Sequence, residues 1–362
     1  MKKIAYYITA HGYGHGTRSC DILNALRDLA PYLPIIVKTD LPRAFFSGRI
    51  DDSIDLRSGA YDVGLVQKDS IQVDLDASIE SIHSLARRES ELVAQEVAFI
   101  KQENVGVVVA DIPAIPLQAA QQVGIANIAT GNFGWDWIYA EFSDHDPRWQ
   151  IHADKLRRVY ERTNLLLRMP FAEPMQAFPR RIDLPLLARP GSNRRAELAR
   201  LTGADVSKQW VLLSFTTLNL NGQALENLAQ LADYEFFAVE PLQWPGSSVH
   251  TITRAHVSFS DTLASMDLVV TKPGFGIVSE CIANNKPIIY ADRENFREYP
   301  VLVENIERYC RNAFIASADL YAGRLKRALQ HAAVVAVPPA EMPRGGAEIA
   351  AQVILDQLGR DG

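Results

Sequence analysis

The sequence predicts an α/β chain built from two doubly wound domains in tandem. Three observations carry this. Short apolar runs alternate with helical stretches along the chain, a proline-rich stretch interrupts the alternation near the middle, and each half places a glycine-rich turn directly after a strand. Length agrees, because 362 residues exceed the ~100–200 of an ordinary single domain.

The elements follow in order. Residues 4–9 read as the first strand; the apolar stretch in MKKIAYYITA is too short for a signal peptide and runs straight into HGYGHG. A helix over about 17–29, a strand over 34–38 and a short helix over 41–46 come next. A long helix over about 77–103 is predicted by Ile79, Ile82, Leu85, Leu92, Val93, Val97 and Ile100 near helical spacing. The run VGVVVA at 105–110, ending in Asp111, has the unbroken apolar character of a strand buried on both faces of a parallel sheet. A helix over 115–123, a strand over 126–129 and a loop GNFGWDW complete the first half.

Pro170, Pro174, Pro179, Pro185 and Pro190 then crowd a segment where regular structure is disfavoured. The expected division is 1–170, a linker over 171–185, a second domain over 186–345, and a last helix over 346–362 packing back on the first domain. In the second half Ser192 is expected to cap a helix running to about 201. Strands are expected over 210–215, 235–239, 256–258, 268–271 and 287–290. Helices are expected over 222–231, 276–283, 320–331 and 348–358.

Composition narrows the function classes. A net charge of -6 argues against a nucleic-acid or anionic-membrane partner. Cys20, Cys281 and Cys310 form neither a CxxC pair nor an even framework, so neither zinc nor disulfides are expected. No apolar run approaches the ~20 residues needed to cross a bilayer. The expected compartment is the cytoplasm, with peripheral membrane contact left open.

Two constellations carry chemistry. The first is His11-Gly12-Tyr13-Gly14-His15-Gly16-Thr17-Arg18, after strand one. Ligands of open α/β sheets collect at the carboxyl ends of strands, and a helix start offers free N–H groups there. His15 is a candidate base, with His11, Gly14 and Arg18 beside it. The bland alternative is a tight turn whose histidines bond backbone. The second constellation is Thr271-Lys272-Pro273-Gly274-Phe275-Gly276-Ile277-Val278-Ser279-Glu280. Its glycines open a helix start where phosphate oxygens are favoured, and Glu280, one turn inward, is placed to accept ribose hydroxyls. Its alternative is a structural turn followed by a solvated glutamate. Asp111 either deprotonates an acceptor or orients His15, or else caps the helix after Pro113. In GNFGWDWIYAEF, Asp136 and Asn132 stand among Phe133, Trp135 and Trp137; the loop is an acceptor face or aromatic core. The triplets Asp74-Leu75-Asp76 and Asp144-His145-Asp146 read as solvated loop carboxylates, and no metal or other cofactor is expected to be required.

TKPGFGIVSE resembles the donor-binding motif of GT-B glycosyltransferases, which consist of two Rossmann-like domains facing across a cleft, and GYGHGTR resembles the first loop of relatives on that fold. A likeness to the glycosyltransferase-like N-terminal region of plant L-arabinokinases extends through AYYITAHGYGHGTR, GNFGWDWIYAEF, DLPLLAR, SMDLVVTKPGFGIVSECIANNKPIIYADRENFREYP and GGAEIAAQVI. It does not reach their sugar-kinase half and implies no kinase activity. The resemblance implies that Glu280 holds the nucleotide ribose. It implies that Gly274, Phe275, Gly276 and Ile277, with Lys272 and Ser279 of the same motif, line phosphates and base. Asn295, Arg297 and Glu298 would contact the donor sugar, and His15 is the catalytic-loop histidine. Trp135, Trp137 and Asn132 fall on the acceptor side, with Asp136 a further candidate base. One departure stands out: after VLLSF this chain has Thr216 and Thr217 where relatives often have glycines, with hydroxyls expected at the next helix's start.

The expected reaction is transfer of a sugar from a nucleotide diphosphate sugar, UDP-linked by family habit, to a small-molecule or lipid-linked acceptor hydroxyl. A nucleotide-sugar hydrolase or epimerase, or a non-catalytic sensor, would use the same fold. A dehydrogenase is disfavoured because neither turn is a true GxGxxG with its downstream ribose acid.

Overall fold

The computed structural model of the chain describes residues 1–66, 73–253, 256–293, 296–338 and 340–360. It divides into two compact units. One takes Met1–Val66, Asp74–Leu187 and the stretch from Pro343 onward, and the other takes Ala188–Met342.

The first unit runs β1 (Lys3–Ile8), α1 (Tyr13–Leu29), β2 (Ile35–Lys38), α2 (Arg43–Phe46), β3 (Asp55–Arg57), α3 (Leu75–Gln102), β4 (Val105–Asp111), α4 (Ala114–Val123), β5 (Ala126–Gly131), α5 (Trp135–Ala140), α6 (Arg148–Tyr160), β6 (Leu165–Arg168) and β7 (Arg181–Asp183). Its seven strands form one sheet in the order β3-β2-β1-β4-β5-β6-β7. Every strand pair is parallel. A parallel sheet needs helices on both faces, and β4 accordingly is buried at every residue. The strand order reverses between β1 and β4, where Ile8 pairs with Asp111. In open α/β sheets such a reversal is where the chain directions diverge and ligands bind.

The second unit runs α7 (Arg195–Thr202), β8 (Gln209–Ser214), α8 (Gly222–Ala229), β9 (Tyr234–Val239), β10 (Val249–Ile252), α9 (Phe259–Ala264), β11 (Leu268–Thr271), α10 (Phe275–Ala283), β12 (Ile288–Ala291), α11 (Tyr299–Tyr309), β13 (Asn312–Ile315), α12 (Ser317–Tyr321) and α13 (Lys326–Val334). Its parallel sheet has the order β10-β9-β8-β11-β12-β13, reversing between β8 and β11. The last helix, α14 (Gly346–Arg360), returns to the first unit. Its Ala347, Ala350, Ala351 and Ile354 are buried in the same core as Cys20, Leu23 and Leu26 of α1. Alanines on the contact face let the two helices approach closely.

Several expected elements shift for local reasons. The linker expected over 171–185 instead carries β7, whose residues pair with β6, so this stretch belongs to the first sheet. The strand expected over 256–258 is irregular chain, because the Ser258 side chain accepts from the Asp261 backbone N–H and starts α9; the strand is β10, upstream. Ser192 does not cap α7, whose N-cap is Arg194. The helix expected over 320–331 is split into α12 and α13 around Gly323, at φ 67°. The GNFGWDW loop becomes helical from Trp135. Among the described residues, no helix is long and apolar enough to cross a membrane.

Candidate functional site

At the first unit's strand-order reversal, Gly12 adopts φ 82°, a left-handed conformation that glycine tolerates, and turns the chain from β1 into α1. A side chain at Gly16 would bring its Cβ within 2.6 Å of Phe45 Cε1, so glycine also seats α1 closely on α2. His15 then lies in the first turn of α1, its Nδ1 2.9 Å from Asp111 Oδ1 at the end of β4. Arg18, one turn on, donates from Nε to Asp111 Oδ2 at 2.7 Å and from Nη2 to Oδ1. Its Nη1 donates to Asn132 Oδ1, and the Asn132 amide donates in turn to the Pro170 carbonyl. Ser19 Oγ donates to Asp111 Oδ2 at 3.2 Å.

Asp111 is 0% exposed. Burial pushes its carboxyl up, but Arg18 and then His15 outweigh burial and hold it down at about 2. His15 moves down from its ordinary value, first through burial and then through the Arg18 cation, with Asp111 opposing. The helix-cap alternative for Asp111 does not hold: the N-cap of α4 is Pro113, with no side-chain bond. Of the sequence candidates, His15, Arg18, Asp111 and Asn132 are brought into one buried cluster.

Sequence reasoning missed Asp62. It accepts from Thr9 Oγ1 at 2.9 Å and from Trp135 Nε1 at 2.8 Å, and lies 3.8 Å from His11 Nε2. A lone aspartate in irregular chain gives no signal of its own. The aromatic stretch resolves mostly as core. Trp135 is 4% exposed and sits in a ring chain from Phe133 (5.1 Å) to Tyr139 (5.6 Å). It therefore serves to hold Asp62 and does not offer an open face to a sugar, while Trp137 is half-buried. Asp136 partners Arg157 of α6 at 3.7 Å, and burial raises its pKa. Among the described contacts none ties it to His15 or Asp111, which removes the geometric support for Asp136 as a base. Gly14 is exposed, with open space where a Cβ would stand. Of the acidic triplets, Asp74 caps α3, Asp76 meets His145 Nε2 at 2.9 Å, and Asp146 pairs with Arg148 at 2.7 Å.

At the second unit's reversal, Thr271 Oγ1 donates to the Ser214 carbonyl at 2.7 Å and ties the end of β11 to the end of β8. Gly274 is the N-cap of α10 and, lacking a side chain, provides no side-chain cap to the first turn over Phe275, Gly276 and Ile277. Ser279 and Glu280 occupy the next turn. Glu280 is 8% exposed and accepts from Ser260 Oγ at 3.1 Å, which sets aside the solvated-glutamate alternative. Thr216 and Thr217 are exposed but do not stand at a helix start: α8 begins at Gly222, capped by Asn221. Lys272, Arg297 and Glu298 are half-buried, and Glu298 occupies the N-cap position of α11. Asn295 lies outside the described residues. Arg293 was not legible as a candidate; its Nη1 donates to the Pro273 carbonyl at 3.1 Å, bracing the glycine turn from the loop after β12.

No protein-family model matches the chain. It is 30% identical over 364 residues to L-arabinokinase of Arabidopsis thaliana, covering 97% of this chain and 34% of that protein, so it spans about a third of the relative's length. Solved structures are similar throughout. A glycotransferase of kitacinnamycin superposes with a TM-score of 0.62 at 16% identity, covering 99% of this chain and 95% of the other. UGT2 of Phytolacca americana, complexed with UDP-2fluoro-glucose and pterostilbene, gives 0.62 at 11% identity over 99% and 94%. A UDP-glucosyltransferase from Polygonum tinctorium gives 0.62 at 14% over 99% of both chains. Two parallel sheets with matching strand-order reversals, a C-terminal helix returned to the first unit, and these superpositions show that the chain has the GT-B glycosyltransferase fold.

Proposed function

We propose that the chain transfers a glycosyl group from a UDP-linked sugar to an acceptor hydroxyl. The observation that carries this reading is the buried pair of His15 and Asp111 at the first unit's reversal. With Nδ1–H donating to Asp111, the Nε2 lone pair of His15 takes the acceptor proton. The acceptor oxygen bonds to the anomeric carbon as the bond from that carbon to the diphosphate breaks, and the diphosphate leaves with the electron pair. First-turn N–H groups of α10, with Lys272, stabilise its charge. Glu280 accepts the ribose hydroxyls. On this reading neither a metal nor another cofactor is needed, and activity persists in EDTA. Three buried thiols suit a reducing compartment, and we place the reaction in the cytoplasm.

The test is a screen of the purified chain against UDP, GDP, CDP, ADP and TDP sugars, alone and with panels of sugar, phenolic and lipid-linked acceptors. A donor at ~100 times its dissociation constant stabilises the fold by about 2.7 kcal/mol, visible as a rise in Tm. Acceptor-dependent release of UDP supports the reading. Release without acceptor turns it into a hydrolase, and neither binding nor release with any nucleotide sugar reduces it to a fold.

A further inference from the structure

The charge count around His15 differs from that of a simple histidine–carboxylate pair. In such a pair the neutral imidazole leaves a net negative charge, and protonation cancels it. Here Arg18 grips both oxygens of Asp111, so carboxylate and guanidinium already cancel with His15 neutral. Protonating His15 would place a second cation 2.7 Å from Arg18 Nη2, sharing one carboxylate in a site where Asp111 is wholly buried. Unbalanced charge is costly in such surroundings.

The other groups facing the ring do not restore the balance. Ser19 of α1 and Asn132 after β5 are neutral and bond Asp111 and Arg18 respectively. Phe133 presents a ring at 5.9 Å, and Tyr6 of β1 is a buried neutral phenol near Asp111. Asp62 adds a more distant negative charge that favours protonation, yet burial and Arg18 prevail. The hydrogen bonds also bear on the tautomer. Nδ1 lies 2.9 Å from Asp111 Oδ1 and 2.7 Å from Arg18 Nη2, and we assign its proton to the bond with the carboxylate, the charged acceptor, which leaves Nε2 bare.

We propose that Arg18 is a positioning residue for the base: by sharing the Asp111 carboxylate with His15, it makes the buried cluster charge-balanced only while the imidazole is neutral and bare at Nε2. This rests on the role of His15 proposed above. The consequence is a base that stays available on the acid side of neutrality.

The experiment is an NMR titration of the full chain carrying labelled histidine, with His15 assigned by the signal lost in His15→Gln. In the wild type His15 should titrate below its ordinary 6.5. In Arg18→Gln the midpoint should rise by about one pH unit or more, the scale of a removed neighbouring charge. The acid limb of UDP release should move up with it, so that the variant loses activity at a higher pH than the wild type. Arg18→Lys keeps the charge and should keep the low midpoint; should Arg18→Gln not fold, Arg18→Met, which keeps the aliphatic stem and removes the charge, should show the same rise. A wild-type midpoint above 6.5 overturns the proposal, as does an unmoved midpoint in Arg18→Gln or a raised one in Arg18→Lys. The titration needs no turnover: an inactive chain that titrates as expected removes the proposed reaction and leaves the role of Arg18 standing.

Discussion

The two strand-order reversals are built alike and furnished differently. In the first unit the reversal between β1 and β4 is filled with ionisable side chains that satisfy one another: His15, Arg18 and Asp111, with Ser19 and Asn132 attached. In the second unit the reversal between β8 and β11 has the same glycine-capped helix start, at α10, but carries one buried carboxylate, Glu280, in place of that cluster. The difference is physical. Moving a proton requires ionisable groups whose charges are set by buried partners. Holding an oxyanion requires N–H donors, which a helix start supplies.

The comparison can be broken by substitutions that should separate turnover and stability from binding. The largest effect is expected for His15→Ala, a loss of about 10³-fold in turnover with donor affinity kept; steady-state kinetics and calorimetric titration of UDP read the two separately, and full turnover would remove His15 as the base. Asp111→Asn should come next, costing about 3–5 kcal/mol because Arg18 is left buried without its counter-charge, read from denaturant midpoints. The acid side carries a further signature. Asp111 has a folded-state pKa near 2 against an ordinary 3.8, so its stabilisation is present above 3.8 and is lost as pH falls through about 2. That loss should be smaller in Asp111→Asn.

In the second unit, Glu280→Ala should weaken UDP binding by about 10- to 100-fold, the value of hydrogen bonds to a charged group, while turnover at saturating donor is retained. Unchanged affinity would place the nucleotide elsewhere. The smallest effect is expected for Trp135→Phe, which keeps the ring in the core but drops the bond to Asp62. A loss of about 1 kcal/mol in thermal unfolding would mark Trp135 as a support for Asp62. A loss confined to acceptor KM would return the aromatic stretch to the acceptor face.

Legibility followed the range of the interactions. The apolar run of β4, the spacing of α3 and the glycine turns were readable because each signal is confined to a few neighbours. β7 and the helices α5, α6 and α9 were not. β7 is three residues long, with a half-buried isoleucine between two exposed charged residues, and exists through its ladder with β6. α6 starts after Pro147, and its first N–H, at Arg148, is taken by the side chain of Asp146, which also pairs with the Arg148 guanidinium. Among the aromatics, sequence could not distinguish a sugar platform from core, because both require the same rings.

By itself the sequence determined the alternation that makes two parallel sheets, the two glycine turns after strands, and the motif that puts Glu280 one turn into α10. These depend on local periodicity and backbone freedom. Only the tertiary structure decided that Arg18 and Asp111, 93 residues apart, share a hydrogen bond, that Asp136 faces Arg157, and that Asp62 joins Thr9 and Trp135. The reason is that strand order, not sequence distance, sets which strand ends meet. A charge acquires its protonation state and its use from the neighbours that this order brings to it.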